Sequence, residues 1–251
     1  MAGFGSRFAK AGYTQPKYRI EALGLPLFDW SMIGLQAYKE AGWRFSFAVR
    51  RTDDAAGFIR ERCGRLGITV ERLLELDAPT DGQATTALML AEDAARDLPF
   101  AVFNIDTFVR PELVRPALIP AGCDGWVPCF PGEGEGWSFA RLDEDGRVAE
   151  LREKQRISPH ATVGLYWFRS AGAYAGAYAA YFGAGGREEK GERYVAPLYN
   201  QLIAGGGEVR IAQLGLHDVG LLGTPAQVEA FGRAPPPAAE AVARALAGRR
   251  G

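Results

Sequence analysis

Apolar residues recur at helical spacing over residues 27–41, a run closed by Gly42 and followed by an apolar stretch at 45–49. That order predicts a helix feeding a buried strand. The same step repeats at 53–66, with Gly67 as the helix C-cap before a short strand at 68–70. A third helix fits 84–97, where Pro99 breaks the pattern, and the apolar run 101–105 predicts a strand ending in Asp106. Helices alternating with short apolar strands predict a parallel, doubly wound sheet.

The rhythm changes after Gly125. Strands are predicted at 125–130, 137–143 and 148–151, joined by Gly-rich or Asp-Gly turns, which makes this middle part a more antiparallel extension. A further strand at 163–168 precedes a tyrosine-rich stretch in which Tyr174, Tyr178 and Tyr181 fall at helical spacing. That favours an amphipathic surface helix over a membrane span. A helix over 192–204 ended by Gly205 to Gly207, a strand at 209–214 and a helix at 225–231 complete the pattern. The domain is expected to cover residues 1–232, with 233–251 a Pro-, Ala- and Arg-rich tail carrying a peripheral helix.

Composition narrows the function classes. The 251 residues are 47% apolar, enough for a substantial core, and 29 basic against 30 acidic side chains leave a formal net charge of −1. That balance removes the bulk-charge argument for nucleic acid or an anionic membrane as partner. Three irregularly spaced cysteines, Cys63, Cys123 and Cys129, form no disulfide framework, and the sequence opens without an apolar signal region, so a cytoplasmic setting is expected. Two histidines and no Cys-x-x-Cys argue against structural zinc, which leaves a hard cation on carboxylates as the metal to expect.

Several short motifs could carry chemistry. Gly3-Phe4-Gly5-Ser6-Arg7 can present backbone N–H groups and a guanidinium to a phosphate, or it can be an ordinary turn. Pro16 holds the chain extended before Lys17, whose ammonium can be aimed or simply solvated. Asp106, at the carboxyl end of the most apolar strand, suits Mg²⁺ against phosphates, or it is a turn or helix-cap aspartate before Thr107. Gly82-Gln83 precedes a helix and offers both a donor and an acceptor to a nucleobase edge. Glu153-Lys154 could place a cation on an acceptor phosphate, and Asp218, beside His217, could supply a second carboxylate to a metal.

Taken in order, Ala2-Gly3-Phe4-Gly5-Ser6-Arg7-Phe8, Pro16-Lys17 and Gly24-Leu25-Pro26-Leu27 resemble the opening of the sugar-phosphate nucleotidyltransferases. Gly82-Gln83, Asn104-Ile105-Asp106, Glu153-Lys154, the run from Val163 through Gly164 to Phe168, and Leu222-Gly223-Thr224-Pro225 resemble that family's later motifs in the right order. Gly12-Tyr13 and Leu27-Phe28-Asp29-Trp30-Ser31 are most similar to its small members from bacterial capsule and lipopolysaccharide gene clusters.

The resemblance implies a Rossmann-like, glycosyltransferase A-type three-layer α/β/α sandwich with a mixed, mostly parallel central sheet. It implies a Mg²⁺-dependent enzyme that moves a nucleoside monophosphate from a nucleoside triphosphate to a phosphorylated acceptor, a sugar 1-phosphate first, with release of pyrophosphate. Ala2, Gly3, Gly5, Ser6, Gly82 and Gln83 would bind the nucleotide. Arg7, Lys17 and Asp106 would be catalytic, and Asp106 with Asp218 would hold the metal. Glu153, Lys154 and Gly164 would meet the acceptor. A homo-oligomer is left open.

Members usually carry a strand of about five to seven residues before the glycine loop. Here Met1 directly precedes Ala2, so an upstream in-frame start is expected. The alternatives are a cytidylyltransferase for a non-sugar phosphate such as phosphocholine, or an inactive nucleotide-binding relative. Glycosyl transfer would want Asp-x-Asp, and Asp106-Thr107-Phe108 lacks the second aspartate.

Overall fold

The structure is a computed structural model that describes residues 6–183, 188–189 and 191–248. Its elements run α1 (Ser6–Lys10), β1 (Glu21–Ala22), β2 (Leu25–Pro26), α2 (Leu27–Gly34), α3 (Gln36–Glu40), β3 (Phe45–Arg50), α4 (Ala56–Leu66) and β4 (Val70–Leu76). Next come α5 (Gln83–Ala91), β5 (Phe100–Phe103), β6 (Thr107–Val109), β7 (Gly125–Pro131), β8 (Ser138–Leu142), β9 (Val148–Glu153), β10 (His160–Thr162) and β11 (Leu165–Phe168). The chain finishes with α6 (Ala171–Phe182), α7 (Tyr199–Ala204), β12 (Val209–Gln213), β13 (Val219–Leu221), α8 (Pro225–Arg233) and α9 (Pro237–Gly248).

The chain forms two compact units, each built from separate stretches of sequence. The first holds Met1–Asp77, Asn104–Pro116 and Gly215–Gly251, and the second Ala78–Phe103 and Ala117–Leu214. In the first unit β3 and β4 pair in parallel, β6 and β13 antiparallel. Trp30 of α2 is its centre. The indole is fully buried, packs edge-on against Phe108 and Phe231, and donates from Nε1 to the Ala22 carbonyl at 2.8 Å, so its one polar atom is satisfied. The tail helix α9 joins this core through Ala239, where the sequence predicted a peripheral helix.

The second unit is built on a seven-stranded sheet in the order β5-β11-β7-β10-β8-β9, with β12 alongside β7. The β7–β12 pair is parallel and the other pairs are antiparallel, so the sheet is mixed, as expected, but not mostly parallel. The antiparallel rhythm predicted after Gly125 governs the whole unit, because β11 returns beside both β5 and β7. Helices α5, α6 and α7 cover the sheet, with Tyr199 stacked on Phe168 at 4.4 Å between centroids and bonded to the Trp167 carbonyl.

Several element boundaries differ from the pattern. The edge strand β4 is seven residues, Val70–Leu76, because Glu71, Arg72 and Glu75 interrupt its apolar run without ending its pairing with β3. Helix α5 stops at Ala91, short of Asp97, and β5 stops at Phe103, so Asp106 stands in a turn before β6. Residues 192–195 are not helical. Pro197 sits in the first turn of a 3₁₀ segment, Ala196–Leu198, which is where a proline is tolerated at a helix start. The tyrosine-rich helix forms with Ser170 as N-cap, but Tyr174 is buried in the core, so it is not simply a surface helix. No helix among the described residues is long and apolar enough to cross a membrane.

Candidate active site

In the first unit, Pro16 (φ −55°, ψ 141°) holds the backbone extended and delivers Lys17 as the first residue of a 3₁₀ turn. The Lys17 Nζ lies 3.2 Å from Asp106 Oδ2, with the lysine side chain 17% and the aspartate 38% exposed. The backbone of Asp106 is fixed by the Leu222 N–H, which donates to its carbonyl at 2.8 Å. That bond also brings the 222–225 motif to the aspartate. A Cβ on Gly223 would stand 3.5 Å from Asp106 Oδ2 and 3.1 Å from Gln227 Oε1, so glycine keeps this side of the carboxylate open. Gln227 accepts from the Gly223 N–H at 3.0 Å, while Thr224 caps α8 and Pro225 occupies its first turn.

Asp218 does not join Asp106. Its Oδ2 accepts the Gly215 N–H at 3.0 Å, closing a 3₁₀ turn, and its Oδ1 lies 3.4 Å from Arg110 Nη1. The β6–β13 register places Asp218 before Val219, which faces Val109, whereas Asp106 bonds Leu222 at the opposite end of the strand pair. Four residues of strand separate the two positions, about 13 Å at the usual rise. The predicted two-carboxylate metal site therefore reduces to Asp106, and no cluster of three metal-binding side chains occurs among the described residues. A single half-exposed carboxylate still fits Mg²⁺, which keeps waters and takes most of its remaining oxygens from substrate phosphates.

Ala2, Gly3 and Gly5 lie outside the described residues, as does the side chain of Ser6. Arg7 is exposed on α1.

The second unit carries the other predicted residues. Gly82 precedes α5 with φ +145°, and a Cβ there would stand 2.4 Å from the backbone N and O of Arg193, so only glycine allows this approach. Gln83 begins the helix, half-buried. Glu153 ends β9 and is only 7% exposed. The Ser138 hydroxyl donates to it, and the Tyr166 hydroxyl bonds both Ser138 and Thr162. Burial pushes the Glu153 carboxyl above the usual range, opposed by the Ser138 hydrogen bond and the neighbouring Lys154 charge.

Lys154 has φ +52°, unusual for a non-glycine residue, and its Nζ lies 4.0 Å from Glu153 Oε1. It also donates to the Tyr194 hydroxyl. Gly164 is buried between β10 and β11 at φ +82°. Thus Glu153 and Lys154 form one cluster, and Gly82 with Gln83 reaches it through Arg193 and Tyr194. Sequence reasoning missed that pair because it placed residues 192–204 in one helix. Pro197, at the sixth position of such a helix, was the available sign against it.

No protein-family model matches the chain, and no curated protein matches it by sequence. Solved structures do. A nucleoside-diphosphate-sugar pyrophosphorylase from Vibrio cholerae RC9 is 40% identical over 93% of this chain and 98% of its own, with a TM-score of 0.84. The inositol-1-phosphate CTP transferase of T. maritima (15% identity, 90% of this chain and 88% of that chain, TM-score 0.71) shares the fold. So does a Bacillus anthracis protein described as a glucose-1-phosphate thymidylyltransferase (14% identity, 94% and 93%, TM-score 0.73). With 40% identity along nearly its whole length, the chain belongs to the sugar-phosphate nucleotidyltransferase family.

Proposed function

We propose that the chain transfers a nucleoside monophosphate from a nucleoside triphosphate to a sugar 1-phosphate, giving a nucleoside-diphosphate sugar and pyrophosphate. The observation that carries this reading is the Lys17–Asp106 pair at 3.2 Å, an ammonium and a hard-oxygen ligand held together beside a glycine that leaves the carboxylate open. Phosphate transfer needs this combination, because its catalysis is positioning and charge neutralisation.

An acceptor phosphate oxygen forms a bond to the α-phosphorus while the bond from that phosphorus to the α,β-bridging oxygen breaks. Pyrophosphate leaves with the bonding pair. The nucleophile is already an anion at neutral pH, so no general base is required. Lys17 neutralises charge on the α-phosphate and the leaving group, and Lys154 binds the acceptor phosphate. Gln83 reads the base through its amide, and Arg7 with the preceding glycine loop cradles the triphosphate. Asp106 is the residue that would hold Mg²⁺, which supplies neutralisation of triphosphate oxygens when bound.

A cytoplasmic role in making capsule or lipopolysaccharide precursors is part of the proposal. It is supported by the opening motifs and by three cysteines that are all buried and free. The test is Mg²⁺-dependent pyrophosphate release with CTP, dTTP, UTP, GTP and ATP crossed against sugar 1-phosphates and phosphocholine. Release with one nucleotide and a sugar 1-phosphate is expected. Release with phosphocholine alone would move the acceptor to the non-sugar class, and nucleotide binding without any release would overturn transfer.

A further inference from the structure

The stretch Glu192-Arg193-Tyr194 has no part in the function so far, yet it is tied to both predicted substrate contacts of the second unit. The Arg193 N–H donates to the Asp81 carbonyl at 2.8 Å and its own carbonyl accepts from the Ala84 N–H at 3.0 Å, so its peptide is bracketed by the turn that contains Gly82 and Gln83. The guanidinium reinforces this, pairing with Asp81 at 2.9 Å, donating to the Tyr178 hydroxyl at 2.9 Å and lying 5.1 Å from the Phe182 ring centre. One residue on, the Tyr194 hydroxyl accepts from Lys154 Nζ and donates to Glu192, and the ammonium sits 4.1 Å from the centre of the Tyr194 ring.

We propose that Tyr194 is a positioning residue for the acceptor: anchored by Arg193 to the Gly82–Gln83 turn, it orients the Lys154 ammonium for a phosphate. The identity of that phosphate as the acceptor rests on the transfer reading above. An ammonium has three donors. One is taken by the neutral phenol oxygen, and the nearest carboxylate, Glu153, stands 4.0 Å away and is buried. A phenol oxygen fixes the direction of the ammonium and brings no opposing charge of its own. The left-handed backbone of Lys154 fits the same role, since a strained residue persists where its surroundings over-determine it.

Tyr194→Phe keeps the ring and removes the oxygen. The KM for the acceptor is expected to rise about tenfold, the loss of one charge-assisted hydrogen bond, with the KM for the nucleotide and the thermal midpoint unchanged. If Tyr194 acts through Lys154, adding Tyr194→Phe to Lys154→Ala costs nothing further. Additive losses, or a nucleotide KM that moves as much as the acceptor KM, would overturn the proposal. A readout free of turnover is trace acetylation of Lys154 followed by mass spectrometry. Tyr194→Phe leaves the Lys154 amine without the hydroxyl that holds it in place, so its labelling is expected to be at least about threefold faster. Unchanged labelling overturns the positioning role, whereas faster labelling in a protein that releases no pyrophosphate leaves the positioning intact and overturns the transfer reading alone.

Discussion

The Lys17 ammonium and the Asp106 carboxylate lie 3.2 Å apart, one delivered by an extended Pro16 and the other by a turn hydrogen-bonded to Leu222. Each residue is the other's partner, so neither can be removed without altering the environment of the second. Lys17→Ala and Asp106→Asn are each expected to lower turnover at least about 100-fold with the thermal midpoint little changed, since the pair is partly exposed and contributes little to stability. The double variant should lose much less than the product of the two single losses. Steady-state pyrophosphate release checks all three, and a near-normal rate in either single variant removes that residue from the chemistry.

Asp106 as the sole carboxylate of the proposed metal site has a measurable consequence. Calorimetric titration of the chain with Mg²⁺ alone should give only weak binding, with tight binding appearing when a non-hydrolysable nucleoside triphosphate is added, because the phosphates then supply the remaining charged ligands. EDTA should stop turnover and excess Mg²⁺ should restore it. Tight Mg²⁺ binding without nucleotide would point to further ligands.

Buried Glu153 predicts a pH dependence. Its carboxyl is raised by burial, so the folded chain keeps the proton to higher pH than the unfolded chain does. Stability from this group is therefore full at low pH and is lost as pH climbs above the ordinary carboxylate range. Glu153→Gln cannot lose a proton and still accepts from Ser138, so its thermal midpoint should gain on the native protein as pH rises above the ordinary carboxylate range, then run parallel. A difference that stays constant over that rise would show that Glu153 does not titrate abnormally.

The buried ion pair of the first unit sets a stability prediction unrelated to catalysis. Asp29 of α2 has a side chain only 2% exposed and takes both ends of the Arg62 guanidinium fork from α4, Nε at 2.8 Å and Nη2 beside it. Arg62→Ala leaves that carboxylate buried without its counter-charge and should cost about 3–5 kcal/mol. Asp29→Leu combined with Arg62→Met should recover most of the loss. Urea unfolding followed by tryptophan fluorescence measures both, and a loss below about 1 kcal/mol for Arg62→Ala would show that water reaches Asp29 freely.

The sequence by itself determined the features that rest on neighbouring residues. Periodicity placed the helices α4 and α8 to within a few positions, whereas the single helix expected over 27–41 breaks at Leu35 into α2 and α3, and Gly67 ends α4 in the left-handed conformation its lack of a side chain permits. Lys17 and Gly82 could be chosen from local phrases because a preceding proline and a helix-heading glycine are written in short stretches of chain, and Asp106 from the apolar run just before it, although the strand itself stops at Phe103.

Tertiary structure alone decided the rest, because it depends on which distant segments pair. Asp218 stands about four residues of strand from the level of Asp106, a separation set by the register of β13 against β6. The sheet of the second unit is mostly antiparallel because β11 returns between β5 and β7. Glu153 and Lys154 are adjacent in sequence, yet pairing with β8 buries the first against Ser138 while the strand end turns the second to Tyr194, forty residues on. No local pattern encodes a contact between residues so far apart, since burial and partner choice are properties of the packed chain.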